Sequence, residues 1–340
     1  MSTRIEPMDL LRGMAILGVV IGHISAETLY AKITLIGLYF NQLIRFAVPV
    51  FIFLSGMGLS LSRKQKRGYL HFVWYRLRRV LPLYCLWSII YLIVDDSTGQ
   101  PPALYRISWA LISGDAAYHL YFIPLIVQFY LVFPFLNQYL QRTTGLLVSL
   151  AITVAIQFTN MYLSLPTPWA YLIDQRNFLS WVFYFALGIW SASRPALLER
   201  CVKQKQSIIF FLLLVVLGGV TIEAFIYLKF GRGLNLSLTQ MRPSVLIYSL
   251  LVGLWVWSSS AWPAAVKSFL SFLSTISYEI FLVHVFMLTQ FTRFYLNTGG
   301  NKATAAYGIS ALLVVLSTSI LLVLVQRRVL KWLAKLRAER

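Results

Sequence analysis

Apolar runs of about twenty residues recur from one end of this chain to the other, and that repetition restricts its fold more than any motif does. They fall at about 9–28, 37–61, 80–95, 118–139, 145–163, 177–193, 207–228, 243–261, 272–294 and 304–325. Each reads as a helix that crosses the bilayer. Composition agrees: 59% of residues are hydrophobic and 12% charged, against roughly 25% charged in an ordinary soluble domain. A soluble chain of 340 residues with that balance has too little polar surface to cover itself, whereas lipid solvates an apolar exterior. No hydrophilic stretch is long enough to fold separately, so residues 1–340 read as a single transmembrane domain with no extra soluble one. Between the third and fourth runs, Ile107 to Ile112 is apolar but too short to cross, and either lies at the interface or re-enters.

The placement of charge sets an expected orientation. Arg63, Lys64, Lys66 and Arg67, with Arg76, Arg78 and Arg79, follow the second run. Arg194, Arg200, Lys203 and Lys205 follow the sixth, and Arg327, Arg328, Lys331, Lys335, Arg337 and Arg340 follow the tenth. All follow even-numbered runs and so belong to one face, which the positive-inside rule makes cytoplasmic. The chain thus reads as an all-α integral membrane protein of about ten transmembrane helices, with N-terminus and C-terminus in the cytoplasm. The opposite face carries the acidic Asp95-Asp96-Ser97-Thr98-Gly99-Gln100-Pro101-Pro102 and the broken Leu165-Pro166-Thr167-Pro168. Lys229, Arg232 and Arg242 depart from the rule, as a site for an anionic extracellular substrate or as a tolerated exception. A formal net charge of +19 raises nucleic acid as a partner, but the basic residues sit in short loops between apolar runs, where membrane lipid is the expected partner and nucleic acid is not. Cys85 and Cys201 are too few and too far apart for a disulfide framework or a metal site. The first run carries Arg12 in its opening turns and has no small-residue cleavage pattern, so it is expected to remain as a span.

Ionisable groups at membrane depth are costly, and they mark candidate sites. Arg12 and His23 are eleven residues apart, which on a helix is three turns plus about 20° and a rise of about 16 Å. One face therefore offers a guanidinium at the cytoplasmic level and an imidazole deep inside. The guanidinium suits a phosphate, or else is a positive-inside anchor. The imidazole suits proton abstraction, or else is a packed polar residue. Glu27, four residues beyond His23, is placed to orient it as the third member of a triad does. Arg45 lies in the second run, ahead of Pro49, which is expected to kink the helix. Ser55-Gly56-Met57-Gly58 permits close backbone approach. Arg76 and Arg79, three apart, are neighbours on one helix face. His119 stands at the aromatic entrance of the fourth run, and Glu279 and His284 lie inside the ninth. No phosphate-binding Gly-rich loop, nucleophile elbow or metal-ligand cluster is present in the sequence.

These residues resemble acyltransferase family 3, integral membrane enzymes that modify bacterial surface polysaccharides. Arg12 and His23 match its Arg-x10-His motif, and Arg76 and Arg79 its Arg-x-x-Arg motif. The segment from Phe46 to Gly56 is similar to its second-helix signature. His119-Leu120-Tyr121-Phe122-Ile123-Pro124 resembles its His-Leu-Trp-Phe-Leu-Pro entrance with Tyr121 in place of Trp. Ser277 to His284 resembles its Ser-Tyr-x-x-Tyr-Leu-x-His segment with Phe281 in place of Tyr. The resemblance implies transfer of an acyl group, commonly acetyl, from cytoplasmic acyl-CoA to a glycan or lipid-linked sugar hydroxyl, in a bacterial cytoplasmic membrane. Acyl-CoA would be a donor substrate, with no permanently bound cofactor. Arg12, Arg76 and Arg79 would hold its phosphates, His23 would act as general base or covalent acyl carrier, and Arg45 would stabilise the oxyanion. An exporter of polysaccharide or lipid-linked sugar, using the same residues without chemistry, is the alternative.

Overall fold

A computed structural model describes residues 5–62, 68–94, 104–163, 166, 169–202, 205–258 and 262–338. The basic cluster at 63–67, the acidic loop at 95–103, most of Leu165 to Pro168, and Lys203 and Arg340 lie outside them. Among the described residues there are helices and turns and no strands. Nine helical stretches among these residues are long and apolar enough to cross a membrane, and a shorter apolar one covers Phe178–Ala192. The protein is a multi-pass membrane protein.

The helices form two compact units, Met1–Ile44 with Ala264–Arg340, and Arg45–Pro263. The first contains α1 (Glu6–Ala31), α2 (Leu35–Leu43), α13 (Ala264–Asn297) and α14 (Ala305–Ala338). Helix α1 begins with Glu6 and Asp9 in its first turn, where carboxylates complement the helix dipole, and with Pro7, which needs no hydrogen-bonded N–H there. It runs parallel to α13. Lys267 Nζ meets Glu6 Oε1 at 3.1 Å, Gly13 abuts Leu270, and His23 meets His284, so residue numbers rise together along the contact. Helix α14 buries Tyr307, Ala311, Val315, Ser319 and Val323, one residue every fourth position, and turns Ile309, Leu313 and Leu321 outward. Up to Val325 the helix has no charged residue, and one buried stripe with apolar outer faces is what lipid around it requires.

The second unit contains α3 (Ala47–Ser60), α4 (Tyr69–Val94), α5 (Leu104–Ser113), α6 (Phe122–Leu140), α7 (Thr143–Tyr162), α8 (Val182–Ala192), α9 (Pro195–Val202), α10 (Gln206–Lys229), α11 (Leu234–Leu238) and α12 (Pro243–Ser258). In α7 the buried residues are Ser149, Thr153, Gln157 and Met161, so its polar stripe faces protein and its apolar faces are left for lipid. Thr153 Oγ1 accepts the Phe183 N–H at 3.1 Å, satisfying a donor at the start of α8. Without a hydrophobic driving force in lipid, helices associate through small residues and van der Waals contact. A Cβ on Gly56 would strike the Phe185 carbonyl, and one on Gly188 the Phe53 carbonyl, which marks the closest approach of α3 and α8. A Cβ on Gly58 would meet nothing within 4 Å outside its own helix turn.

Three local expectations are refined. The second span does not kink at Pro49 but breaks before it, in the turn at Ile44 to Phe46; Pro49 then sits in the first turn of α3, where a missing N–H costs little. The third span starts at Tyr69 rather than about residue 80, so Arg76, Arg78 and Arg79 ride within α4. The guanidinium carbons of Arg78 and Arg79 each lie 4.9 Å from the Tyr75 ring centroid, within reach of a cation–π attraction. The short Ile107 to Ile112 segment lies in α5, a ten-residue helix.

Helix direction bears on the number of crossings. Six long apolar stretches separate α1 from α13, and six alternating passes would leave α13 antiparallel to α1. Their parallel contact requires a seventh. Among the described residues, the remaining apolar helical stretch is Phe178–Ala192, four residues of 3₁₀ helix followed by the eleven of α8, with Trp181, Phe185, Ala186 and Ile189 fully buried. A helix shielded by protein can be short, because lipid does not set its length.

Candidate functional site

The polar interior of the first unit is built between α1 and α13. At the beginning of α1, Asp9 is 7% exposed, and its Oδ1 accepts a 2.9 Å hydrogen bond from Ser274 Oγ of α13. The same oxygen lies 3.7 Å from Arg12 Nη1, one turn further on. A buried carboxylate needs such partners, since desolvation without them is costly. Helix α1 continues unbroken to His23, so the register expected from the sequence is realised. His23 is half-buried, and its ring lies 5.2 Å from that of His284 on α13, tilted by 36°. His284 is fully buried, with Nδ1 at 3.0 Å from the Ile280 carbonyl and 2.9 Å from that of Phe281.

Glu27 is engaged by Lys302 Nζ at 2.9 Å, from the turn between α13 and α14. Glu279 receives Arg327 of α14 through Nε at 2.8 Å and Nη2 at 2.5 Å, and that Nη2 also reaches the Thr275 carbonyl at 2.6 Å. Glu279 and His284 are five residues apart and point to different sides of α13. Beside His23, Asn41 of α2 donates to Ser25 Oγ at 2.8 Å and to the Gly22 carbonyl at 3.4 Å. Arg12, His23, Glu27, Glu279 and His284 therefore belong to one unit. Asp9, Ser274, Asn41 and Lys302 join them there without having been picked out from the sequence. Asp9 carried a signal, an acidic residue three positions before Arg12 in an apolar run. Ser274 carried none.

Arg45, Arg76, Arg79 and His119 belong to the second unit. Arg45 Nη1 donates to Gln240 Oε1 at 3.3 Å, and Gln240 Nε2 donates to the Tyr121 hydroxyl at 3.2 Å. Arg76 is half-buried over the Phe72 ring at 5.6 Å, while Arg79 is exposed. His119 is buried edge-on to Tyr91 and Tyr118. Arg242 is fully buried, with Nη1 3.4 Å from Glu223 Oε2; Glu223 also receives the Tyr227 and Ser244 hydroxyls. Arg232 donates to the Met161 carbonyl. Two of the three basic residues that depart from the orientation rule are thus bound up in internal contacts.

A cation near the start of a helix and a paired imidazole eleven residues along it can hold an anion and move a proton. Comparison with known families agrees with that chemistry, because the model of a family described as an acyltransferase domain matches residues 5–324. The chain belongs to acyltransferase family 3. No curated protein and no solved structure gave a match. Membership makes this multi-pass protein a membrane acyltransferase, and the match covers α1 to α13 and most of α14. The acyltransferase has, among its described residues, no group of three His, Cys, Asp or Glu side chains placed to hold a metal ion.

Proposed function

We propose that this acyltransferase moves an acyl group, most simply acetyl, from cytoplasmic acyl-CoA to a hydroxyl of a cell-surface polysaccharide or lipid-linked sugar, in the cytoplasmic membrane of a bacterium. The observation that carries the proposal is the α1 track: Arg12 beside Asp9 at one end, and His23 against His284 further in. The separation of Arg12 and His23, about 16 Å along the axis, suits a donor whose phosphates are held at one end and whose thioester lies at the other. Arg76 and Arg79, which the family resemblance offers for donor binding, and Arg45, offered for the oxyanion, belong to the second unit. His23 takes the proton of the acceptor hydroxyl as its oxygen attacks the thioester carbonyl. The tetrahedral intermediate expels CoA thiolate, which recovers the proton from His23. The products are the acyl ester and CoA thiol.

The test is acceptor-dependent release of CoA thiol from acetyl-CoA by purified protein in detergent, read with a thiol reagent. Release is expected with a glycan or lipid-linked sugar acceptor and not without it. Movement of the sugar across vesicles with no thiol release would establish the exporter instead. Arg12→Lys refines the donor assignment. Lysine keeps the charge but loses the planar fork, and loss of one charge-assisted contact costs about 1.5–3 kcal/mol. The variant is expected to insert normally, to keep kcat within a few-fold and to raise KM for acetyl-CoA roughly ten- to a hundred-fold. An unchanged KM would make Arg12 a topological anchor.

Orientation is tested by labelling cysteines from outside intact cells, in a background lacking Cys85 and Cys201. Cysteine at exposed Thr298, in the turn after α13, is expected to react with an impermeant reagent. Cysteine at exposed Thr144, at the start of α7, is not. The reverse pattern would put the Arg12 end of the track outside.

A further inference from the structure

We infer that His284 is a positioning residue for His23, orienting its ring and stabilising the charge that it gains when it takes the acceptor proton. The inference rests on His23 being the base. A carbonyl oxygen only accepts, so the nitrogen of His284 that approaches the Ile280 and Phe281 carbonyls carries a hydrogen. Neutral His284 therefore keeps its lone pair on Nε2, and the tautomer is set by backbone of its own helix. The ring is fully buried, so its orientation does not relax into solvent. The His23 ring touches it at 5.2 Å. A fixed neutral imidazole beside an imidazolium favours the charged form, the part that a carboxylate plays in a Ser-His-Asp triad.

Charged groups on the neighbouring elements have partners of their own. Glu27 is held by Lys302, Glu279 by Arg327, Glu6 by Lys267, and Asp9 by Arg12 and Ser274. Helix α2 carries no charged residue, and Tyr307 of α14 shares a 2.6 Å hydrogen bond with Thr292. His284 is an ionisable group in ring contact with His23, in the role that the sequence assigned to Glu27. Protons balance without a new co-reactant. One proton passes from acceptor hydroxyl to His23 to CoA thiolate, and His284 keeps its Nδ1 hydrogen throughout.

The experiment compares His284→Phe and His284→Gln with the unaltered enzyme, measuring kcat, KM for acetyl-CoA and the pH dependence of kcat. Phe keeps the ring contact without nitrogen; Gln keeps a donor for the backbone carbonyls but has no basic nitrogen. Both are expected to lower kcat at least roughly tenfold, with KM for acetyl-CoA within a few-fold. Removal of a partner that favours the imidazolium makes His23 less basic, so the acid limb of kcat should move to lower pH. A lower rate with an unmoved limb would make His284 a packing residue only, and a limb moved to higher pH would mean that His284 acts as a cation; either overturns the inference. If His284→Phe does not fold, His284→Gln decides alone. Near-normal rates in both variants, with His23→Ala inactive, would sink this inference and leave the base assignment standing. Activity in His23→Ala would remove both.

Discussion

His23→Ala is expected to lower acyl transfer by roughly 10²-fold or more, the lower range of general acid–base catalysis, while the protein still inserts and purifies as a folded species. The imidazole is half-buried at the inner part of α1, and the helix is held on α13 by other contacts: Glu6 with Lys267, Asp9 with Ser274, and Gly13 against Leu270. Truncating the ring removes none of these. The variant therefore separates chemistry from folding, and KM for acetyl-CoA should stay close to normal because the phosphate end of the track is untouched. The measurement is kcat at saturating donor and acceptor, with monodispersity in detergent checked on the same preparation. Turnover within a few-fold of normal would take His23 out of the mechanism. A covalent acyl carrier at His23 would be revealed by acetyl label retained on the protein after a quench without acceptor.

Much of this architecture was legible because a bilayer converts sequence into structure by length and hydropathy. Nine of the expected spans appear as long helices, and the Phe178–Ala192 run appears as a short one. The register of Arg12 and His23 was legible for the same reason: α1 has no interior breaker, so angular arithmetic holds along it. Partners across helices were not legible. Lys302 and Arg327 reach Glu27 and Glu279 from positions 275 and 48 residues away in sequence, and neither spacing carries a signal. Glu27 was expected to orient His23 because it is four residues away on the same helix. The fold also pairs Glu27 with a lysine and sets a second imidazole against His23. Local periodicity identifies which residues share a helix face, but packing decides what that face meets. Pro49 shows the same limit: a proline in an apolar run signals a break, and capping geometry determines on which side of it the helix starts.

Gly13→Ala is expected to be nearly as damaging as removal of His23, although it adds one methyl group at a position ten residues before the imidazole on α1. A Cβ at Gly13 would fall on the carbonyl, carbonyl carbon and Cα of Leu270, all backbone atoms of α13. A flexible side chain could move aside; helix backbone cannot, so α1 and α13 must separate. Overpacking of this kind costs about 1–3 kcal/mol. The larger effect is geometric. Separation at Gly13 pulls apart the contact that sets His23 against His284, and a misplacement of about 1 Å can cost roughly 10²-fold in rate. Gly58→Ala is the control. Both substitutions gain helix propensity, about 1 kcal/mol each, but a Cβ on Gly58 would meet nothing within 4 Å, so its variant should be as stable as the parent or slightly more so, with a normal rate. Thermal stability and kcat are measured for both proteins in the same detergent. A Gly13→Ala enzyme with parental stability and rate would show that the two helices can part without disturbing the site, and the α1–α13 contact would no longer account for the position of His23.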